Sequence, residues 1–286
     1  MVCKKELYLK DRVLCVENPA LIMGIVNCTP DSFYNQKLNP VDLAKKQIDE
    51  GADILDLGAE STRPGSEYVS EEEELNRLMP VIKEIRKNSN IPVSIDTRKT
   101  NVMKAMYEEG ADILNDVSAL EDSDIDGKNP LAEFAAETKI PVILMHKRGV
   151  PSTMQKNTSY NDVVSEVSAY LSGRVLYAKK FGIEDNKIWL DPGIGFAKDL
   201  EENKQLIASS YKLCGGKYPV LMALSRKTCI GQMTGKSVEE RESGTLAADL
   251  LSVLKGASML RVHDVASCRD TMSVLKSFIE SSLISF

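Results

Sequence analysis

Eight short apolar runs rich in Val, Ile and Leu recur along the chain, separated by longer stretches in which apolar positions return at helical spacing. The runs cover residues 20–27 (ALIMGIVN), 52–60, 92–97, 111–118, 141–146, 188–193, 219–225 and 257–264. Runs without strict polar alternation suit parallel strands covered on both faces, and amphipathic stretches such as 71–87, 101–109, 160–181, 239–255 and 267–283 suit the helices that cross between them. Eight strand–helix units predict an α/β fold of the (β/α)8 TIM-barrel type, whereas an open doubly wound sheet needs only about five or six strands. No Pro-, Gly- or Ser-rich linker divides the chain. It reads as a single domain over 1–286, with residues 1–19 as an N-terminal extension expected to cap the barrel bottom.

Local repeats support the same architecture. Glu50-Gly51-Ala52-Asp53-Ile54-Leu55 returns as Glu109-Gly110-Ala111-Asp112-Ile113-Leu114, and Lys255-Gly256-Ala257 echoes both. A glycine that closes a helix and leads straight into a strand is the short connection a barrel needs. Pro92, Pro141 and Pro219 each open a run, a place where a missing backbone N–H is tolerated. The acidic run Glu71–Glu74 after Ser70 reads as a capped helix start, its carboxylates favoured by the N-terminal dipole.

Composition narrows the partners. The 286 residues carry 36 Lys and Arg against 42 Asp and Glu, a formal net charge of −6. A binder driven by nucleic-acid phosphates needs a basic excess or cluster, and neither is present. No run reaches the roughly 18 apolar residues of a membrane span, and the N-terminus lacks a signal-peptide core. The six cysteines are scattered without a CxxC pair, and only His146 and His263 are available to assist a zinc site. Reduced thiols in a cytoplasmic protein are the expectation.

Chemistry enters where the apolar runs end. Asn27, Asp56, Glu60, Asp96, Asn115, His146, Asp191, Ser225, Arg261 and His263 stand within the runs or at their C-terminal ends. An unpaired carboxylate in a strand is expensive to bury, and in a barrel these ends converge on the face that carries active sites. Asp96, Asn115 and Asp191 are placed in the site. Asp56, followed by Gly58, is expected to orient the next loop by hydrogen bonds, and His146 reads either as a structural histidine or as a site residue. Loops 27–33 and 60–65 combine turn formers with hydroxyls and can cover the site. Arg261 and His263, with Lys227 after the seventh strand and a helix N-terminus close behind, are expected to form an anion site.

Taken in order, Met23-Gly24-Ile25-Val26-Asn27-Cys28-Thr29-Pro30-Asp31-Ser32-Phe33, Asp56-Leu57-Gly58-Ala59-Glu60-Ser61-Thr62-Arg63-Pro64-Gly65, Ser94-Ile95-Asp96-Thr97, Asn115-Asp116-Val117, Leu190-Asp191-Pro192-Gly193-Ile194-Gly195-Phe196, Ser225-Arg226-Lys227 and Arg261-Val262-His263 closely resemble the dihydropteroate synthase family of pterin-binding barrels. The resemblance runs from about Ala20 to the last helix. It implies a usually dimeric barrel that uses Mg2+ to join 4-aminobenzoate to 6-hydroxymethyl-7,8-dihydropterin diphosphate, with diphosphate leaving by a dissociative displacement. By match to the family, Asp96, Asn115 and Asp191 recognise the pterin, Met145 packs on its ring and Phe196 belongs to the substrate site. Lys227 donates to the pterin near the amine, and Ser225 lines the 4-aminobenzoate pocket. Arg261, His263 and Arg63 serve the diphosphate, Asn27 contacts the metal, and Thr62, Phe33 and Pro64 complete the substrate-binding loops. Small-molecule substrates and a second copy of the chain are the implied partners.

The sequence departs from the family in places: Tyr34 to Pro40 lacks the glycines often found there, and Ala59 replaces a common second glycine. Two other readings fit parts of the pattern, a methyltetrahydrofolate–corrinoid methyltransferase and a non-catalytic pterin-binding paralogue. A methyltransferase has no diphosphate to bind, so the Thr62-Arg63-Pro64-Gly65 loop and the Lys227, Arg261, His263 set favour the synthase.

Overall fold

The computed structural model describes residues 4–29, 38–60, 69–149 and 159–284. Two short antiparallel strands, β1 (Lys5–Tyr8) and β2 (Val13–Val16), precede the barrel. Its strands are β3 (Leu21–Asn27), β4 (Ile54–Gly58), β5 (Val93–Asp96), β6 (Ile113–Asp116), β7 (Val142–Met145), β8 (Ile188–Asp191), β9 (Leu221–Met222) and β10 (Met259–Val262). They form one parallel sheet in the order β8-β7-β6-β5-β4-β3-β10-β9. A parallel bridge between Leu190 and Val220 brings β8 to the start of β9 and completes the circle. All eight apolar runs become strands, although the seventh shortens to two ladder residues.

Around the sheet lie α1 (Pro40–Asp49), α2 (Glu71–Asn88), α3 (Thr100–Glu108), α4 (Pro130–Thr138), α5 (Val163–Lys180), α6 (Leu200–Ile207), α7 (Thr228–Thr234), α8 (Glu242–Leu254) and α9 (Val265–Glu280). The acidic run behaves as read: Ser70 accepts from the Glu73 N–H at the head of α2. The repeated glycines do too. Gly51, Gly110 and Gly256 all have φ near +90°, at +88°, +99° and +96°. Each donates to the carbonyl three residues back, and the following alanine donates to the carbonyl five residues back. That is the paired closure of a Schellman motif, which only glycine enters without strain. Pro92, Pro141 and Pro219 lack donors, yet their carbonyls accept from Leu55, Leu114 and Leu190 on the neighbouring strands.

The period of two along each strand sorts its side chains. One set packs outward against the helices, with Ile22, Leu55, Leu57, Ile95, Leu114, Leu144, Leu190 and Leu260 in the large core cluster. The inward set divides by height. Low in the barrel, Leu21, Met23, Ile54, Ile113, Ile143, Trp189, Leu221 and Met259 pack with Leu7 and Leu9 of the N-terminal hairpin. The buried Lys187 holds that hairpin by donating to the carbonyls of Tyr8 and Leu9. Two residues further along the strands the same inward positions become Asp56, Asn115, Met145, Asp191 and Arg261, and on β5 Asp96 follows the buried Ser94 in the same phase. The apolar floor therefore carries a polar upper layer at the strand C-termini.

Candidate active site

The register sets the upper layer side by side. Gly58 pairs with Asp96, Asp96 with Asn115, and Met145 with Asp191. Arg261 on β10 lies across from these strands and binds two of their carboxylates. Its Nε and Nη2 both meet Asp56 Oδ2 at 2.6 Å, and Nη2 reaches Asp96 Oδ2 at 3.1 Å. Asn115 Nδ2 donates to the other Asp56 oxygen at 3.3 Å. Asp56 is fully buried, and a buried carboxylate persists only with such partners. The expectation that Asp56 mainly orients a loop is thereby corrected: it ties Arg261 and Asn115 together at the centre of the site. Burial pushes Asp96 above the ordinary carboxylate range, Arg261 opposes this, and Asp56 reinforces it.

On the other side of the layer, Asp191 Oδ1 accepts from the Gly193 N–H at 2.7 Å. Gly193 has φ of +67°, and a Cβ there would stand 1.9 Å from the His146 carbonyl oxygen, so the turn requires glycine. Burial raises Asp191, while Lys227 and the Gly193 N–H pull it down. Burial lowers Lys227, and Asp191 opposes that shift. Lys227 Nζ donates to the Ile194 carbonyl and sits 5.1 Å from the Phe196 ring centroid. A single loop after β8 thus seats a carboxylate, an ammonium and an aromatic face.

Ser225 and His263 meet directly, with Ser225 Oγ 2.9 Å from His263 Nδ1. Gln47 of α1 donates to the carbonyls of Ile25 and His263, bracing the ends of β3 and β10 against each other. Asn27 ends β3, half-buried and paired with Gly58. Phe33, Thr62, Arg63 and Pro64 lie outside the described residues.

The anion site departs from its expected form. The Arg261 guanidinium is engaged by Asp56 and Asp96, and the N-terminus of α9 is capped by Asp264, which accepts from the Ser267 N–H. Two site members escaped the sequence reading in their actual roles: Asp56 and Gln47. Asp56 shares the inward phase of Ile54, a signal that was available. Gln47 stands in no period or motif that marks it.

The model of the family described as pterin binding enzyme matches residues 23–263. The chain belongs to that family. Among its relatives, the dihydropteroate synthase of Haemophilus influenzae is 41% identical over 275 residues, covering 94% of this chain and 97% of its own. The Escherichia coli K12 dihydropteroate synthase is 39% identical, covering 91% and 92%. Of the solved structures, Xanthomonas albilineans dihydropteroate synthase with 4-aminobenzoic acid superposes with a TM-score of 0.86 at 38% identity, over 98% of this chain and 99% of that one. The same enzyme in complex with 7,8-dihydropteroate superposes at 0.81 and 36% identity, over 96% and 98%.

Proposed function

We propose that this chain is a dihydropteroate synthase that condenses 6-hydroxymethyl-7,8-dihydropterin diphosphate with 4-aminobenzoate in folate biosynthesis. The observation that carries this reading is the polar layer of Asp56, Asp96, Asn115, Asp191, Lys227 and Arg261 over an apolar barrel floor, in a chain that aligns nearly end to end with synthases.

The flat pterin edge alternates donors and acceptors, which suits Asp96, Asn115 and Asp191, with Met145 against the ring and Lys227 donating to it. In the reaction the bond from the pterin methylene carbon to the diphosphate oxygen breaks, and the electron pair leaves on oxygen. The 4-aminobenzoate nitrogen then bonds to that carbon and releases a proton to water. An arylamine is neutral near pH 7, so the chain's main task is to stabilise charge on the leaving oxygen rather than to provide a strong base. Arg261, His263 and Arg63 are assigned to that end, and Ser225, Thr62, Phe33, Pro64 and Phe196 are assigned to substrate binding by their match to the family.

Asn27 would hold Mg2+. Among the described residues no group of three or more His, Cys, Asp or Glu is arranged for a metal. That suits an ion bound mainly through substrate phosphates, because Mg2+ keeps several waters and accepts few protein oxygens. When bound, it would neutralise charge on the diphosphate.

A second copy of the chain is the proposed partner. Leu251 on α8 and Val274 and Phe278 on the adjacent α9 are exposed apolar side chains on neighbouring helices. Sedimentation of the purified chain is expected to give a dimer; a monomer at all concentrations sinks that assignment. The cytoplasm is the proposed compartment. Its support is that Cys15, Cys28, Cys214, Cys229 and Cys268 are unpaired thiols and no described helix is long and apolar enough to cross a membrane.

The reaction is tested by mixing the chain with the dihydropterin diphosphate, 4-aminobenzoate and Mg2+ and following diphosphate release. Release well above that of a Lys227→Ala variant is expected. Release no greater than the variant's overturns the reading.

A further inference from the structure

Beneath the substrate-facing surface of the β8 loop lies a buried lysine that none of the proposed roles uses. Lys198 is 4% exposed. Its Nζ donates to the carbonyls of Gly193 and Phe196, each at 2.9 Å, and lies 2.9 Å from His146 Nδ1. An ammonium has three N–H donors; two meet carbonyls, and the third meets His146 Nδ1 in the tautomer that carries its proton on Nε2. The loop is pinned from a second side by Asn203, which accepts from the Gly195 N–H and donates to the carbonyls of Lys198 and Asp199.

The loop consequently carries carbonyls turned two ways. Those of Gly193 and Phe196 face Lys198, and that of Ile194 between them faces Lys227. The Gly193 N–H fixes Asp191, and the Phe196 ring lies beside Lys227. The contacts that seat Asp191 and Lys227 run through the Gly193 N–H and the Ile194 carbonyl, in peptide groups directly adjacent to the one Lys198 holds at Gly193, and Lys198 holds the carbonyl of Phe196 itself.

We propose that Lys198 is a positioning residue for the reaction, its ammonium fixing the Gly193–Phe196 loop in the form that presents Asp191 and Lys227 to the pterin. The inference rests on the synthase reading. Its pH behaviour follows from the surroundings. Burial lowers Lys198 to about 7; Asp191 and Glu202 pull it up, while Lys227 and Arg148 push it down. His146, beside Tyr160 and Tyr170, is lowered by burial and by Lys198 to about 3, so it stays neutral as Lys198 titrates. Below about pH 7 the ammonium supplies all three hydrogen bonds. Above it the amine has two N–H groups, and the third contact survives only if His146 changes tautomer and donates. A pterin that needs the seated loop therefore binds more tightly to the protonated form and raises the lysine's midpoint.

The test uses 6-hydroxymethyl-7,8-dihydropterin alone, which has no phosphate to titrate near neutrality, and measures its Kd by calorimetry across the neutral range. In the wild-type chain Kd is expected to rise as pH passes through about 7, with proton uptake on binding near that pH when buffers of different ionisation enthalpy are compared. Lys198→Met is expected to weaken binding about tenfold at the acid end, the scale of one lost hydrogen bond to a charged group, and to remove the component of the pH dependence centred near 7, leaving that of Asp96, which burial raises to about 8. A variant that binds as tightly as wild type, or binds weakly yet keeps the wild-type pH profile, overturns the proposal. If the variant fails to fold, Lys198→Arg, which keeps a cation that does not titrate near neutrality, replaces it: a pH profile and proton uptake unchanged from wild type overturn the proposal. A wild-type chain that releases no diphosphate fails the synthase reading instead, so the two failures are distinguishable.

Discussion

The charges of the upper layer were legible as positions but not as pairs. A period of two places Asp56 above Ile54 and Arg261 above Met259, both inward, but 205 residues separate the two partners and nothing local announces their meeting. Read alone, Arg261 with Lys227 and His263 looks like an anion site whose loss weakens diphosphate binding and spares the pterin. The observed pairing changes that expectation. Arg261→Ala leaves Asp56 and Asp96 facing each other in a buried layer, and removing one partner of such a pair costs about 3–5 kcal/mol. Urea denaturation is expected to show a loss of that order, and binding of diphosphate and of the unphosphorylated dihydropterin should both weaken. Stability within about 0.5 kcal/mol of wild type, the range of an ordinary surface substitution, would show that the pairing contributes little. Lys198 was illegible for a different reason: its partners are two backbone carbonyls and a histidine ring, and carbonyl directions cannot be read from side-chain patterns.

At the scale of elements the sequence carried most of the fold because the signals were local. Apolar runs became strands, glycines in helix-to-strand turns took positive φ, and Ser70 capped α2. The helices α1, α4, α6 and α7 went unnamed: each runs for two to three turns, which carry little periodicity to set them apart from loops. The hairpin was harder, since its strands have four residues each and its value lies in what it covers. Leu7 and Leu9 seal the apolar floor from the end opposite the site, so the hairpin contributes to stability without reaching the chemistry. Leu9→Ala is expected to cost about 2–5 kcal/mol, as for other buried leucines. The melting temperature should fall while KM for both substrates stays within about twofold of wild type, because nothing in the polar layer moves. A large change in KM with little loss of stability would mean that the floor and the polar layer are mechanically coupled.

For the molecule as a whole, the net charge of −6 poses a question that the site answers unexpectedly. The substrates are anions, and from the sequence a concentrated positive field at the strand ends was the natural way to admit them. The described site instead balances Lys198, Lys227 and Arg261 against Asp56, Asp96 and Asp191, each cation within reach of a carboxylate's field. Around the rim, Arg98 and Lys99 are paired with Glu60, and Lys147 with Asp122. A compensated site exerts little long-range pull, and the Debye length near physiological salt is only about 8 Å. Entry of the diphosphate should then depend on its own Mg2+ and on short-range contacts rather than on steering. At fixed Mg2+, kcat/KM for the dihydropterin diphosphate is expected to change by less than about threefold between low and physiological ionic strength, whereas steered association falls steeply with salt. Chelating the metal should weaken diphosphate binding while leaving the dihydropterin alone unaffected. A fall of about tenfold or more with salt would reveal an uncompensated positive field at the mouth and restore steering as the means by which an acidic protein collects an acidic substrate.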